Sequence, residues 1–174
     1  MSKLVRNKEQ EIQKTASTFL IFSVFPSEEF LDSLDEFLLQ LTNMNTKFGF
    51  EPENNPHITL FGTPATVNYS CKLELVSFAR KLLPPSETLV DLEIKGLDWF
   101  SQDKKTLVIV LESEVLRGIN QKLCDFMKER GVELSEWDYT PHITLGRCER
   151  NDLVLPAIKD FNIKLKDLKI SIRK

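Results

Sequence analysis

The sequence is poor in cysteine: Cys71, Cys124 and Cys148 are the only three in 174 residues, and none lies in a Cys-x-x-Cys pair. An odd number of isolated cysteines does not form a disulfide framework and is typical of a reducing compartment. Zinc sites need three or four His, Cys or carboxylate ligands, and neither His57 nor His142, each in a His-x-Thr sequence, has a second strong ligand beside it. We therefore expect free thiols, no metal ion, no cofactor and a cytoplasmic location.

Long hydrophobic runs are also absent. The apolar run from Phe19 to Phe25 is far shorter than the roughly 20 residues that a membrane-spanning helix needs. Residues 1–16 are charged and lack the apolar region and small-residue cleavage site of a signal peptide. We predict a charged N-terminal segment followed by one soluble domain over residues 17–174, without membrane association.

The chain has no excess of positive charge, since 23 basic side chains stand against 26 acidic ones and give a net charge of −3. A protein that binds long nucleic acid usually carries surplus Lys and Arg to replace phosphate counterions. This balance disfavours long duplex nucleic acid as a partner. A small nucleotide or a short RNA end fits better, and we expect the protein to act as a monomer.

What the chain does contain is the pentapeptide Pro-His-Ile-Thr-Leu twice, starting at Pro56 and at Pro141. The two copies hold the only histidines, His57 and His142. Histidine has an unperturbed pKa of about 6.5, so it gives or takes a proton near neutral pH. A single histidine on a strand is usually structural, but two in matched settings indicate an acid and base pair.

The surroundings of the motif recur as well. Each copy follows an apolar run and a serine that opens a helical pattern; 86 positions separate Ser27 from Ser113, and 85 separate His57 from His142. Two copies at this spacing predict a duplicated, bilobal fold with a pseudo-twofold axis and a central cleft. The predicted lobes are residues 17–87 and 88–174, and strands could be exchanged between them.

The periodicity of apolar residues predicts an α+β fold. Helical spacing recurs from Phe30 to Leu41, from Cys71 to Leu83 and from Glu114 to about Arg130, where Gly131 would stop the helix. The buried stripe predicted for the third helix is Val115, Leu116, Ile119, Leu123 and Phe126. The segments between these helices are β-branched or alternating. We predict two antiparallel sheets with helices on their outer faces.

In a strand, side chains two positions apart share a face. His57 would then point the same way as Thr59, and His142 the same way as Thr144, with the isoleucines packed behind. Such a set suits a phosphodiester: one histidine deprotonates water, the other protonates the leaving oxygen, and the threonines bind the charged oxygens. The next positions on that face are Phe61, which could stack on a base, and Gly146, which would let a ligand approach the backbone.

Other chemistry stays open at this point. Trp99, Phe100, Trp137 and Tyr139 could stack on a base, although large aromatic residues more often belong to the core. Cys148 could pair with His142 as a nucleophile if the strand continues past Gly146.

The pair of His-x-Thr motifs, each preceded by proline and followed by leucine, resembles the 2H phosphoesterase superfamily, which includes RNA 2',3'-cyclic phosphodiesterases and 2'-5' RNA ligases. Phe61-Gly62 and Gly146-Arg147 are similar to residues that these proteins often have after their motifs, so we expect Arg147 to contact substrate. The resemblance implies metal-independent cleavage of cyclic or 2'-linked phosphodiesters. It also implies catalytic roles for His57, Thr59, His142 and Thr144. The alternative is a module that binds a nucleotide or RNA end without turnover.

Overall fold

The computed structural model describes residues 19–64, 66–82, 92–100, 105–134, 138–149, 152–157 and 165–173, the last of these as backbone. The predicted segment at 1–16 and Trp137 lie outside them. The strands are β1 (Phe19–Pro26), β2 (Glu51–Pro52), β3 (Ile58–Gly62), β4 (Glu93–Phe100), β5 (Thr106–Glu112), β6 (His142–Arg147) and β7 (Leu165–Arg173). The α-helices are α1 (Glu28–Met44), α2 (Tyr69–Leu82) and α3 (Glu114–Lys128). The mixture of helix and antiparallel strand confirms the predicted α+β class.

The helices form where the sequence predicts them. Ser27 precedes α1, whose first turn carries Glu28 and Glu29, as the helix dipole favours. Ser113 caps α3, since its Oγ accepts a hydrogen bond from the Leu116 amide at 3.3 Å. The buried stripe of α3 is confirmed at four of its five positions, but Val115, the second residue of the helix, is 44% exposed.

The stop predicted at Gly131 is confirmed. Gly131 has a left-handed φ of 73°, and its amide donates to the Lys128 carbonyl at 2.9 Å. The Val132 amide reaches back to the Met127 carbonyl at 3.1 Å. This pair of bonds satisfies the last helical carbonyls and turns the chain out of α3, which needs a residue tolerant of positive φ.

The strands belong to one antiparallel sheet in the order β4-β5-β6-β3-β1-β7, with β2 paired to β6. This corrects the prediction of two sheets. The two motif strands, β3 and β6, connect the halves of the sheet through one residue pair, Ile58 with Ile143. Each motif strand has an edge unpaired within its own half, and pairing the two edges satisfies backbone groups that would otherwise lack partners.

The order of the strands is alike in the two halves. β1 and β5, which each precede a helix, lie in the middle of their halves, and the motif strands lie at the inner edges. β7, from the end of the chain, pairs with β1. A duplicated strand-helix-motif unit would produce this arrangement, and the duplication and the lobe boundaries stay predictions.

Alternate strand positions join the helices in one hydrophobic core. Phe22 and Val24 of β1, Ile109 of β5 and Ile143 of β6 are almost fully buried together with helix residues such as Leu34. The intervening positions of these strands point to the other face of the sheet. That face carries the polar side chains of both motifs.

Candidate functional site

The register of the motif strands brings the two motifs together. Ile58 and Ile143 are partners across β3 and β6, and both are fully buried. In an antiparallel pair, the residues on either side of such partners oppose one another on the other face of the sheet. His57 thus lies opposite Thr144, and Thr59 lies opposite His142. The predicted catalytic residues therefore share one face, turned away from the core.

Both histidines are oriented in the same way by the main chain. His57 Nδ1 lies 2.8 Å from the carbonyl oxygen of Asn55, and His142 Nδ1 lies 2.8 Å from the carbonyl oxygen of Thr140. A carbonyl oxygen only accepts, so Nδ1 carries a proton in each ring. In this tautomer Nε2 is the ring nitrogen without a proton, and both rings share the same Nδ1 contact with a main-chain carbonyl two residues earlier.

A phenylalanine packs against each imidazole. The ring centroids of Phe25 and His57 are 5.9 Å apart, and those of Phe100 and His142 are 4.7 Å apart. These contacts limit the rotation of the imidazoles. The contact of Phe25 could not be predicted, because it depends on the pairing of β1 with β3, which no local pattern in the sequence encodes.

A β-bulge follows the first motif. Thr59 pairs with Ser23, but Phe61 pairs with Phe22, so Leu60 has no partner across the ladder. The extra residue reverses the alternation and turns Phe61 to the face of Phe22, with 6.4 Å between the ring centroids. Phe61 is only 7% exposed, and it lies along the floor of the cleft rather than standing free to stack on a base.

The second motif has a bulge at the corresponding place. Thr144 pairs with Val108 and Gly146 with Leu107, which leaves Leu145 without a partner. The alternation again reverses after the threonine. Gly146 is therefore on the face of the core residue Leu107 and not on the face of Thr144.

Gly146 has no side chain, and another segment of the protein fills the space that a side chain would occupy. A Cβ built there would collide with the carbonyl oxygen of Glu51 and lie 2.6 Å from Cζ of Phe50. Both groups belong to the segment around β2, which pairs with β6 at this position. Gly146 thus has a packing role, and its predicted role, to let a ligand approach the backbone, stays a prediction.

We expect Gly146→Ala to lower the free energy of unfolding by about 1–3 kcal/mol, because the added methyl group must displace Phe50 or β2. Gly62→Ala is the matched control: Gly62 ends β3 after the first motif, and a Cβ there meets nothing within 4 Å. Urea unfolding of both variants measures the difference. Equal midpoints for the two would contradict the packing role.

A cleft of about 980 Å³ lies beside the motifs. Thr59 and His142 line it, with apolar walls from side chains such as Phe100 and Leu134. Within the described part of the chain, its charged lining residues are Glu133 and Asp138. The cleft is large enough for a small ligand and carries no surplus of positive charge at these positions.

Tyr139 lines the cleft but is anchored to the first motif. Its hydroxyl donates to the carbonyl oxygen of Thr59 at 2.9 Å. Burial of the phenol raises the pKa of Tyr139 well above its usual value, so the hydroxyl keeps its proton. Its hydroxyl is bonded to the main chain, and the predicted contact of Tyr139 with substrate stays a prediction.

Arg147 lies apart from this cleft. It is exposed and pairs with Thr106 and Glu51 on the neighbouring strands. It lines a separate depression of about 520 Å³ together with Lys105 and Glu149, which form an ion pair. Its predicted contact with substrate stays a prediction, because the depression and the cleft have no lining residue in common.

The remaining chemical alternatives can be compared with the structure. All three cysteines are free, as predicted, and the Cys148 thiol donates to the Phe48 carbonyl at 3.1 Å, which directs it away from a nucleophilic role beside His142. Within residues 19–157 as far as they are described, and in 165–173, no three His, Cys, Asp or Glu residues are grouped to hold a metal ion. None of the helices in these stretches has the length and hydropathy to cross a membrane.

Solved structures with the same fold extend over nearly the whole chain. Escherichia coli LigT, in a crystal structure with 3'-AMP, is 17% identical with a TM-score of 0.57, covering 89% of this chain and 94% of LigT. TT0787 of Thermus thermophilus is 20% identical with a TM-score of 0.56, covering 88% of this chain and 86% of TT0787. The MHV ns2 PDE domain is 14% identical with a TM-score of 0.54, covering 84% and 97%.

A comparison with curated protein sequences gives no significant match. The sequence profile of the 2'-5' RNA ligase superfamily, in contrast, matches residues 30–174, which include both His-x-Thr motifs. Membership of this superfamily supports phosphodiesterase-type activity on nucleotides or RNA. The chain belongs to the 2'-5' RNA ligase superfamily of 2H phosphoesterases.

Proposed function

We propose that this protein is a metal-independent phosphodiesterase that cleaves a 2'-linked or cyclic phosphodiester in a small nucleotide or at an RNA end. The observation that carries the proposal is the matched setting of His57 and His142. Each holds Nδ1 at 2.8 Å from a carbonyl oxygen and lies opposite the threonine of the other motif. Two proton carriers on one face, each oriented through Nδ1, suit a reaction that needs a base and an acid at one phosphate.

The proposed reaction uses both imidazoles at Nε2. One neutral histidine takes a proton from water, whose oxygen forms a new bond to phosphorus. The other histidine, protonated at the start, gives its proton to the sugar oxygen as the bond between that oxygen and phosphorus breaks. The products are a phosphomonoester and a free sugar hydroxyl, and exchange of protons with solvent restores the starting state.

The threonine hydroxyls have the complementary role. Negative charge builds on the non-bridging phosphate oxygens during the displacement, and fixed donors stabilise it most when they are already oriented. Thr59 lines the cleft beside His142, and the register sets Thr144 opposite His57. Each histidine would thus act beside a hydroxyl donor from the other motif.

The size and charge of the cleft favour a small substrate. Its volume of about 980 Å³ suits a nucleotide or a short end, and its charged residues in the described part of the chain, Glu133 and Asp138, do not supply the positive charge that a long phosphate backbone needs. LigT, which has the same fold, has been crystallised with 3'-AMP and with NADP+. These ligands support a nucleotide as the substrate class here.

The proposal is tested by incubating purified protein with 2',3'-cyclic nucleotides, 2'-5' oligoadenylate and cyclic dinucleotides, with products separated by chromatography. Hydrolysis of at least one member to a phosphomonoester is the expected result. If the protein binds one of them tightly and converts none, it is a binding module and the proposal is wrong.

Turnover is expected to survive chelation. Both proton transfers and the stabilisation of charge are assigned to side chains, whereas a two-metal mechanism needs several carboxylate or histidine ligands around ions about 3.5–4 Å apart. The measurement is the rate after dialysis against EDTA, with a zinc-dependent phosphodiesterase treated in parallel. Loss of activity on chelation and its return with a divalent ion would make the histidines ligands instead of acid and base.

A further inference from the structure

The ladder between the motif strands contains one pair, Ile58 with Ile143, and side chains donate hydrogen bonds to the backbone of β3 where this ladder ends. The hydroxyl of Tyr139 donates to the Thr59 carbonyl at 2.9 Å, and Nδ2 of Asn120 donates to the Leu60 carbonyl at 2.7 Å. Backbone carbonyls that lose a partner in the sheet need another donor when they are buried. Here both donors come from the second half of the chain.

Tyr139 is also tied to the second motif. It lies three residues before His142, and its own carbonyl oxygen accepts from Nη1 of Arg117 at 2.8 Å. The next carbonyl along the chain, that of Thr140, is the one that orients the His142 ring at 2.8 Å. One dipeptide therefore contacts the backbone of Thr59 and the imidazole of His142.

We infer that Tyr139 is a positioning residue, whose hydroxyl fixes the separation between Thr59 and His142 across the cleft. The inference rests on the proposed function, because a fixed distance between Thr59 and His142 matters only if both residues act on one substrate. A ladder of one pair leaves room for a cleft beside the motifs, but it supplies few bonds to hold the two motifs at a constant distance. A side-chain hydrogen bond across the gap keeps the distance while leaving the cleft open.

A fixed distance between catalytic groups has a large effect on catalysis, since a displacement of about 1 Å can lower a rate on the order of 10²-fold. The protonation of the phenol supports the assignment. Burial raises the pKa of Tyr139, so the donor persists through the neutral pH range in which imidazoles work.

Tyr139→Phe tests the inference because it removes the hydroxyl and keeps the ring. We expect kcat to fall by about 10-fold or more and KM to change by less than about 3-fold, since the bond affects the geometry of the reaction more than ground-state binding. Tyr69→Phe is the matched control: it is the chain's only other tyrosine and lies half-exposed on α2. Equal kcat values for the two variants would overturn the inference.

Double-mutant cycles separate positioning from a general loss of structure. If Tyr139 acts through Thr59, the effect of Tyr139→Phe on kcat should largely vanish in a Thr59→Val background and persist in a Thr144→Val background. A structural defect would lower kcat by the same factor in both backgrounds, and that outcome would overturn the inference.

A measurement without turnover distinguishes failure of the inference from failure of the proposed function. In NMR spectra of the free protein, Tyr139→Phe should shift the amide and methyl signals of Thr59 and the ring signals of His142, and should leave those of Thr144 in place. If the wild-type protein converts no substrate in the panel, the function is wrong and these shifts still decide whether Tyr139 joins the motifs. Unchanged signals from Thr59 would overturn the inference even in an active enzyme.

Discussion

Replacing His57 or His142 by alanine is expected to lower kcat on the order of 10²–10⁴-fold, equivalent to about 3–5 kcal/mol of transition-state free energy. Each substitution removes one of the two proton transfers. Neither ring is part of the buried core, so the folded structure should persist. Steady-state kinetics on the best substrate, together with circular dichroism, measure the two effects, and near-normal activity in either variant would refute the assignment.

Asparagine at the same positions separates proton transfer from positioning. Its side-chain amide can still donate to the carbonyl of Asn55 or Thr140, as Nδ1 does now at 2.8 Å, but it carries no proton that titrates near neutral pH. His57→Asn and His142→Asn should therefore be as slow as the alanine variants. Recovery by asparagine would mean that the rings only hold the site in shape.

The dependence of rate on pH identifies which histidine is the base. Because one imidazole must start neutral and the other protonated, the wild-type profile should be bell-shaped. Removal of the base should abolish the acidic limb in the residual activity, and removal of the acid should abolish the alkaline limb. A profile that stays flat across neutral pH in the wild type would contradict the paired mechanism.

The composition of the site could be predicted because it depends on a local rule. Alternation in a strand sets His57 and Thr59 on one face and Ile58 on the other, and Ile58 is fully buried, as is Ile143 in the second copy. The pairing of Ile58 with Ile143 could not be predicted in the same way. It depends on two strands far apart in the sequence, and neither strand encodes its partner.

The same rule failed just after each threonine. The bulges at Leu60 and Leu145 add one residue to the ladder, and leucine is equally acceptable in a bulge and in a regular strand. Phe61 and Gly146 were therefore predicted on the wrong face. The space at Gly146 is filled by Phe50, a contact between distant parts of the chain.

The number of sheets and the hydrogen bond of the Tyr139 hydroxyl could not be predicted either, because both depend on tertiary contacts. Each half of the sequence contains enough strands for a sheet of its own, but β3 and β2 of the first half pair with β6, and β7 of the second half pairs with β1. A tyrosine near a motif is compatible with a ligand contact or with a bond to the chain. The hydrogen bond from the Tyr139 hydroxyl to the Thr59 carbonyl, where the ladder between β3 and β6 has ended, is a contact of the second kind.

Thr59→Val and Thr144→Val are each expected to lower kcat by about 10²-fold with little change in KM. Valine keeps the β-branched shape that suits β3 and β6 and removes the hydroxyl that would bind the phosphate in the transition state. Serine retains the donor, so Thr59→Ser and Thr144→Ser should be milder. Stopped-flow or steady-state rates on the same substrate, with thermal unfolding of each variant, separate slower chemistry from lost stability.

Thr42→Val provides the matched control, because its hydroxyl donates to the Leu38 carbonyl at 2.8 Å on α1 and it is not a lining residue of the cleft. Valine at Thr59 or Thr144 that lowers stability but leaves kcat normal in the folded fraction would make these threonines structural. The pairing of the two strands also predicts that the effects of Thr59 and His142 on kcat are not independent. Since Thr59 opposes His142, Thr59→Val combined with His142→Ala should lower kcat by less than the product of the two single effects, as expected for groups that act on one phosphate.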